Sequence, residues 1–171
     1  MACYNPRDKI LPTAAKLPLL GRKRRLSKWI NRLDGIVALS TNSRQLLLDG
    51  GVGSPSVDAG PEIHIIPLPI TLPQPIVVEK DPNLVAFVGG SPGNKGKKLF
   101  FEAERLVKEK RPDVHFEEIK ANSREGALEA IASAQVLMVP ELWPNPGPVV
   151  VVEAALLGTN VVTSDVGGIK E

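Results

Sequence analysis

Cysteine is almost missing from this chain of 171 residues: Cys3 stands alone. No disulfide can form within the chain, and the lone thiol leans toward a reducing compartment. Aromatic residues are scarce at 4%. None are interleaved with the basic run in a base-stacking pattern, so nucleic acid is not an expected partner. Long apolar runs are lacking too. No stretch approaches the roughly 18 residues that span a bilayer. The opening MACYNPRDKILPTAAKLPLL has no apolar region of the signal-peptide kind. A cytoplasmic location is therefore expected. What remains is an ordinary composition, 43% hydrophobic and 23% charged. It fits one domain with an appendage, long enough to bury a real core.

Charge is small in total and uneven in place. Residues 1–35 carry nine Lys and Arg against two Asp, about +7; the remainder carries twelve against seventeen Asp and Glu, about −5. A solvated helix face is the plainest reading of the basic end. Peripheral contact of 22–32 with an anionic membrane surface, or with an anionic substrate, is the sharper one.

Residues 1–21 show scattered prolines and no period. Leu26, Trp29, Ile30 and Leu33 share one face of a helix expected from Arg22 to Leu33. Ile36 to Leu39 reads as a short buried strand, and Ser40 or Thr41 as the cap of a helix that ends at Gly50. Ile63 to Ile66 is a second strand. Pro67, Pro69, Pro73 and Pro75 then make a stiff linker, because each proline fixes its own φ and restrains the residue before it.

A different rhythm starts at Asn83. LVAFV (84–88) is a wholly apolar strand, and a helix from about Lys97 to Lys110 follows with Leu99, Ala103, Leu106 and Val107 inward. VHFEEI (114–119) is a strand, 123–134 a helix capped by Ser123, VLMV (136–139) a strand, and VVT (161–163) another. Strands alternating with helices predict an α/β fold: a Rossmann-like parallel sheet with helices on both faces, plus a short α/β N-terminal appendage. The expected domains are 1–75 and 76–171.

The stretch NPGPVVVVE (145–153) looks like a strand and leads into EAALLG. A strand there would directly follow VLMV, and adjacent parallel strands need a crossover of a dozen or more residues. Each valine lowers helix propensity by less than about 1 kcal/mol, which packing can override. A helix over about 148–157 is therefore expected, with Pro148 in its first turn and Gly158 at its end.

Three loops leave strand ends on one edge of such a sheet: GGSPGNKG (89–96), ELWPNPGP (141–148) and SDVGG (164–168). Ligands of open α/β sheets bind at that edge. Glycine loops that run into helix N-termini offer free N–H groups and a favourable dipole to anions, and Lys95 adds a cation. Phosphate or diphosphate is the ligand this suggests, although such glycines also serve plain tight turns. The P-loop and dinucleotide fingerprints G-x-x-x-x-G-K-[ST] and G-x-G-x-x-G are both missing from 89–96. Glu153 lies among apolar neighbours in the second helical turn. Its carboxylate can accept two hydrogen bonds from a diol such as that of ribose. His64 and His115 sit within expected strands, and packed or surface roles suit them better than catalysis.

In order along the chain, RLDGIVALSTNSRQLLLDGG, IHIIPLPI, LVAFVGGSPGNKG and AIASAQVLMVPELWPNPGPVVVVEAALLGTNVVTSDVGGIKE resemble segments of the retaining glycosyltransferases of family 4, of GT-B fold. The last block is long and the most specific, and the first is the least. The resemblance implies a donor-binding GT-B domain at 76–171 and, at 1–75, the remnant of the N-terminal domain and linker. It implies that Lys95 meets the donor diphosphate between framing glycines Gly89 and Gly96, and that Glu153, the second Glu of E-x7-E, binds the donor ribose. It implies that Gly147, Pro148 and Val149 turn backbone amides toward donor sugar and phosphate. Asn145 stands where the family has the first Glu, a catalytic position, and Gly90 where it has an arginine. The arginine's loss removes a charge-assisted contact worth on the order of 1.5–3 kcal/mol. Lys97, Lys98 or Ser91 are the candidates to compensate.

The family's acceptor domain is mostly absent from this sequence, and so is a segment before residue 123. The expectation is a glycosyltransferase that moves a hexose from a nucleoside-diphosphate sugar to a glycan or lipid-linked acceptor. It needs no metal and no cofactor besides the donor. A second chain supplying the acceptor domain is a partner the truncation suggests. The alternatives are a non-catalytic nucleotide-sugar-binding subunit or remnant and, third, a nucleotide-sugar epimerase of the same fold.

Overall fold

The computed structural model describes residues 25–53, 60–72, 75–89 and 95–171. They fall into two compact units, one of 25–38 and 44–64 and one of 39–43 and 65–171. In the first unit residues 25–30 are helical (α1), and strands β1 (Gly35–Ala38) and β2 (Glu62–Ile65) form a two-stranded sheet. Residues 22–24 of the expected basic helix lie outside the described residues. The face expected to be buried is open: Leu26, Trp29 and Leu33 are all exposed, and the Arg32 guanidinium lies 5.1 Å from the centre of the Trp29 ring. β1 is buried only in part: Ala38 is buried and Ile36 half-buried, while Val37 is exposed. A two-stranded ribbon has too few neighbours to cover its faces. Helix α2 (Thr41–Asp49) follows, with Ser40 Oγ accepting from the Ser43 N–H at 3.1 Å as the expected cap.

The second unit holds a four-stranded, all-parallel sheet of order β4-β3-β5-β6. Its strands are β3 (Asp81–Val88), β4 (His115–Ile119), β5 (Ala134–Val139) and β6 (Asn160–Thr163). Helices α3 (Lys97–Lys108), α4 (Arg124–Ser133) and α5 (Val149–Leu156) cross over between them. Alternation along β3 divides its side chains between two faces. Leu84 and Ala86 join Leu137 and Val139 of β5, Ile131 of α4 and Ala154 of α5 in one core. Phe87 points the other way and stacks on Phe100 of α3, ring centres 5.0 Å apart, with Phe116 of β4 at 5.2 Å from Phe100. Helices therefore cover both faces, as the apolar strands predict.

The inward face of α3 is only partly the one expected: Ala103 and Val107 are half-buried on it, but Leu99 and Leu106 are not. Phe100 is fully buried, whereas Leu99 and Leu106 are exposed. Leu99, Phe100 and Phe101 are consecutive and all apolar, so periodicity alone cannot phase this helix. The Phe87 and Phe116 rings decide it, because burying a large aromatic side chain between two others stabilises more than burying a leucine on one of them.

Helix α5 forms as expected. Val150 and Val151 pack against the core and Ala154 is completely buried, while Val149 and Val152 are exposed. So half of the valine run is partly buried against the core and half is exposed. Pro148 stands one residue ahead of the first turn, as the N-cap with φ −69 and ψ 124. Gly158 takes φ +70 just after the helix, the left-handed conformation in which helices commonly stop. Lys80 holds the other end of the sheet, donating to the carbonyls of Ala134 and Gly158 at 3.0 and 3.2 Å.

Candidate functional site

Parallel strands send their carboxyl ends to one edge, where the loops after β3, β5 and β6 leave. The loop after β3 reaches α3 through Lys95 and Gly96. Gly96 has φ +73, and a Cβ on it would lie 1.7 Å from the Pro140 carbonyl oxygen. That close approach sets the Lys95 backbone beside the residue following Pro140, Glu141. The Lys95 ammonium forms an ion pair with Glu141 Oε1. The Glu141 side chain is 2% exposed and that of Lys95 is 37% exposed. Gly90 and Ser91 lie outside the described residues. Gly89 ends β3 against the Phe87 ring. Lys97, weighed above as a substitute for the missing arginine, donates instead to Glu118 of β4 at 2.6 Å.

Asn145 closes the loop after β5. Its Oδ1 accepts from the Gly147 N–H at 3.1 Å and its Nδ2 donates to Glu141 Oε1 at 3.2 Å. Its backbone carbonyl accepts from the Gly168 N–H at 2.8 Å, which joins this loop to the one after β6. Ser164 Oγ adds a 2.6 Å bond to the Glu141 carbonyl. Lys95, Glu141 and Asn145 thus form one hydrogen-bonded chain across two loops. The Gly147 N–H, expected to face a donor, is here taken by Asn145. Pro148 and Val149 open α5, whose first N–H groups have no acceptor within the helix.

Glu153 sits in the second turn of α5, 8% exposed. Its Oε1 accepts from Arg124 Nη2 at 3.0 Å and Nε at 3.3 Å. Arg124 is placed by the start of α4, where Ser123 Oγ caps the helix through the Gly126 N–H at 3.0 Å, and it also donates to the Thr71 carbonyl at 3.1 Å. Among the described residues, Oε2 of Glu153 has no hydrogen-bond partner. The carboxylate is therefore held in orientation by one oxygen and open at the other.

A cleft of about 470 Å³ is lined in part by Pro146, Gly147 and Pro148. Ile65, Leu68, Pro148 and Val152 give it apolar walls, and Thr41 and Glu171 a polar end. Glu171 accepts from the N–H groups of Thr41 at 2.5 Å and Asn42 at 2.8 Å. These bonds, the one from Asn42 above all, hold its carboxyl below the ordinary value of 4.5. Lys95, Glu141 and Glu153 do not line this cleft.

Residues 75–171 match the family described as glycosyl transferases group 1. The chain belongs to that family. No curated protein sequence matches it. Among solved structures, this glycosyltransferase-family chain is similar to Staphylococcus aureus TarM, in a variant crystallised with fondaparinux, alpha-GlcNAc-glycerol and UDP. There the TM-score is 0.64 at 14% identity, covering 85% of this chain and 33% of that one. Anabaena HepE in complex with UDP-glucose gives 0.60 at 17%, covering 88% and 50%. AviGT4, a glycosyltransferase of avilamycin A biosynthesis, gives 0.51 at 22%, covering 79% and 46%. The chain thus spans between a third and a half of the length of these structures. At such identities the likeness shows the fold.

Sequence reasoning brought Lys95, Gly96, Asn145 and Glu153 to this edge, and the structure places them there. It missed Glu141 and Arg124. An acid directly after the last apolar residue and a proline of a parallel strand was the available signal for Glu141. Nothing local marks Arg124, which lies 29 residues from its partner. Both histidines are on the surface, His64 beside Glu62 at 3.7 Å and His115 beside Asp81 at 2.9 Å. Among the described residues no three His, Cys, Asp or Glu side chains come together as a metal site, and no helix is long and apolar enough to cross a membrane.

Proposed function

We propose that this chain is the nucleotide-sugar-binding part of a glycosyltransferase that moves a hexose from a nucleoside-diphosphate sugar to a glycan or lipid-linked acceptor. The observation that carries the reading is Glu153: buried, oriented by Arg124 through Oε1, and open at Oε2. An ionised carboxylate fixed in this way is a preorganised acceptor for a ribose diol. Lys95 and the N-termini of α3 and α5 supply the positive potential that suits a diphosphate leaving group. No metal or other cofactor has a role in this scheme. HepE and TarM were crystallised with UDP-glucose and UDP respectively, which makes uridine nucleotides the first donors to try.

Thermal shift with UDP, GDP and ADP sugars tests donor binding. Release of nucleoside diphosphate with a glycan acceptor tests turnover. Binding is expected, and Glu153→Ala should abolish it. A chain that binds none of these nucleotides sinks the proposal.

One observation favours a second reading, a binding subunit without turnover of its own. The Asn145 side chain, at the place of a catalytic carboxylate, is engaged at both ends by Gly147 and Glu141. Binding without transfer or hydrolysis, unchanged by Asn145→Glu, is the result expected from a subunit of this kind.

A further inference from the structure

Lys95 is the cation on which the proposed diphosphate contact rests, and it already has an anion. Glu141 Oε1 receives both the Lys95 ammonium and the Asn145 amide. A carboxylate that is 2% exposed has lost nearly all its water, and an unpaired buried charge is strongly unfavourable. Glu141 therefore competes with any ligand for Lys95. Two further cations of these elements are matched as well. Arg124 is taken by Glu153, and Lys97 by Glu118. Over these three pairs side-chain charge cancels; the helix N-termini and the exposed Lys98 remain.

We propose that Glu141 is a specificity-determining residue, an internal counter-ion for Lys95 that sets how much negative charge the site accepts. The inference rests on the proposed function, because it takes Lys95 as the group a diphosphate meets. Its consequence is a graded one. A neutral nucleoside, bound through Glu153, is indifferent to Glu141. Each phosphate added to it is opposed by the Glu141 charge. The unmodified chain therefore gains little from a diphosphate, and removing the Glu141 charge frees Lys95 for it.

The test is titration calorimetry with uridine, UMP and UDP at low salt with EDTA, on the unmodified chain, Glu141→Gln and Glu141→Ser. The serine variant removes the same charge with a smaller side chain, and circular dichroism melting shows which variants are folded. Expected is unchanged uridine affinity, and UDP affinity higher by about tenfold or more, the worth of one charge-assisted hydrogen bond. UMP should lie between. Lys95→Met added to the Glu141 variant should cancel the gain. In the unmodified chain the diphosphate should add less than about tenfold to the affinity for uridine, given the same worth of one such contact.

Equal or weaker UDP binding by the folded variants overturns the inference. So does a gain that is the same for uridine and UDP, since that is an effect of shape. If neither variant folds, a diphosphate that adds more than about tenfold in the unmodified chain overturns it. Uridine binding retained while these outcomes occur leaves the donor-site reading standing. Failure of every protein to bind any of the three ligands removes both.

Discussion

Gly96 and Gly158 allow the contact that builds the Lys95 site to be weighed by subtraction. Their φ angles are nearly the same, +73 and +70. Replacing either with alanine puts a side chain into the left-handed region, at roughly 1–2 kcal/mol. Their surroundings differ completely. A Cβ on Gly158 meets nothing within 4 Å, whereas one on Gly96 lies 1.7 Å from the Pro140 oxygen and 2.7 Å from its carbonyl carbon. Both atoms are backbone at the end of β5, so they cannot rotate away. Forcing an extra methyl into such a place costs typically about 1–3 kcal/mol. Gly96→Ala should therefore be less stable than Gly158→Ala by about 2 kcal/mol. In a chain of this size that is a difference of roughly 4–8 °C in melting temperature. Thermal melting followed by far-ultraviolet circular dichroism reads it directly. Melting temperatures within about a degree of each other would refute the close approach of the Lys95 loop to Pro140, and with it the structural basis of the Lys95–Glu141 pair.

Phe100→Ala should cost about 3–5 kcal/mol, since it empties the centre of the ring cluster, while Leu99→Ala should cost less than about 1 kcal/mol because Leu99 is already half exposed; urea unfolding of the two variants reverses their order if the phase of α3 is wrong. Ser123→Ala removes the α4 cap and should destabilise by about 1 kcal/mol, and because α4 starts with Arg124 it should also weaken nucleotide binding through Glu153. Glu171 has a folded-state pKa below its ordinary value of 4.5. Its contribution to stability is therefore complete above that value and is lost as pH falls through the lowered one. Stability followed from pH 5 downward should fall less steeply for Glu171→Gln than for the unmodified chain; parallel curves would refute the bonds from Thr41 and Asn42.

The parts of this fold that could be read from sequence are those in which one residue's neighbours along the chain decide its environment. LVAFV is apolar on both sides of the pleat, so it had to be a strand covered twice, and β3 is that strand, extended back to Asp81. Four valines after Gly-Pro could have been strand or helix, but the need for a crossover between parallel neighbours settled on α5. Where apolar residues are consecutive, as in Leu99, Phe100 and Phe101, local pattern carries no phase, and partners on β3 and β4 choose the buried one. The first unit shows the same limit from the other direction: the 3.5-residue spacing of Leu26, Trp29 and Leu33 was real, yet spacing cannot say whether a surface exists to cover it. The site divides similarly. Asn145 was singled out only by the family resemblance, whereas Lys95 and Glu153 were legible because loop chemistry and helix position mark them. The pairings that set their charge were not, since Glu141 is 46 residues from Lys95 and Arg124 is 29 from Glu153. That difference bears on function. Sequence alone presents Lys95 as a free cation and Asn145 as a charge lost from the site. In the folded chain the two are neighbours of the same buried carboxylate, Glu141, so a negative charge stands four residues upstream of Asn145 and is set against Lys95.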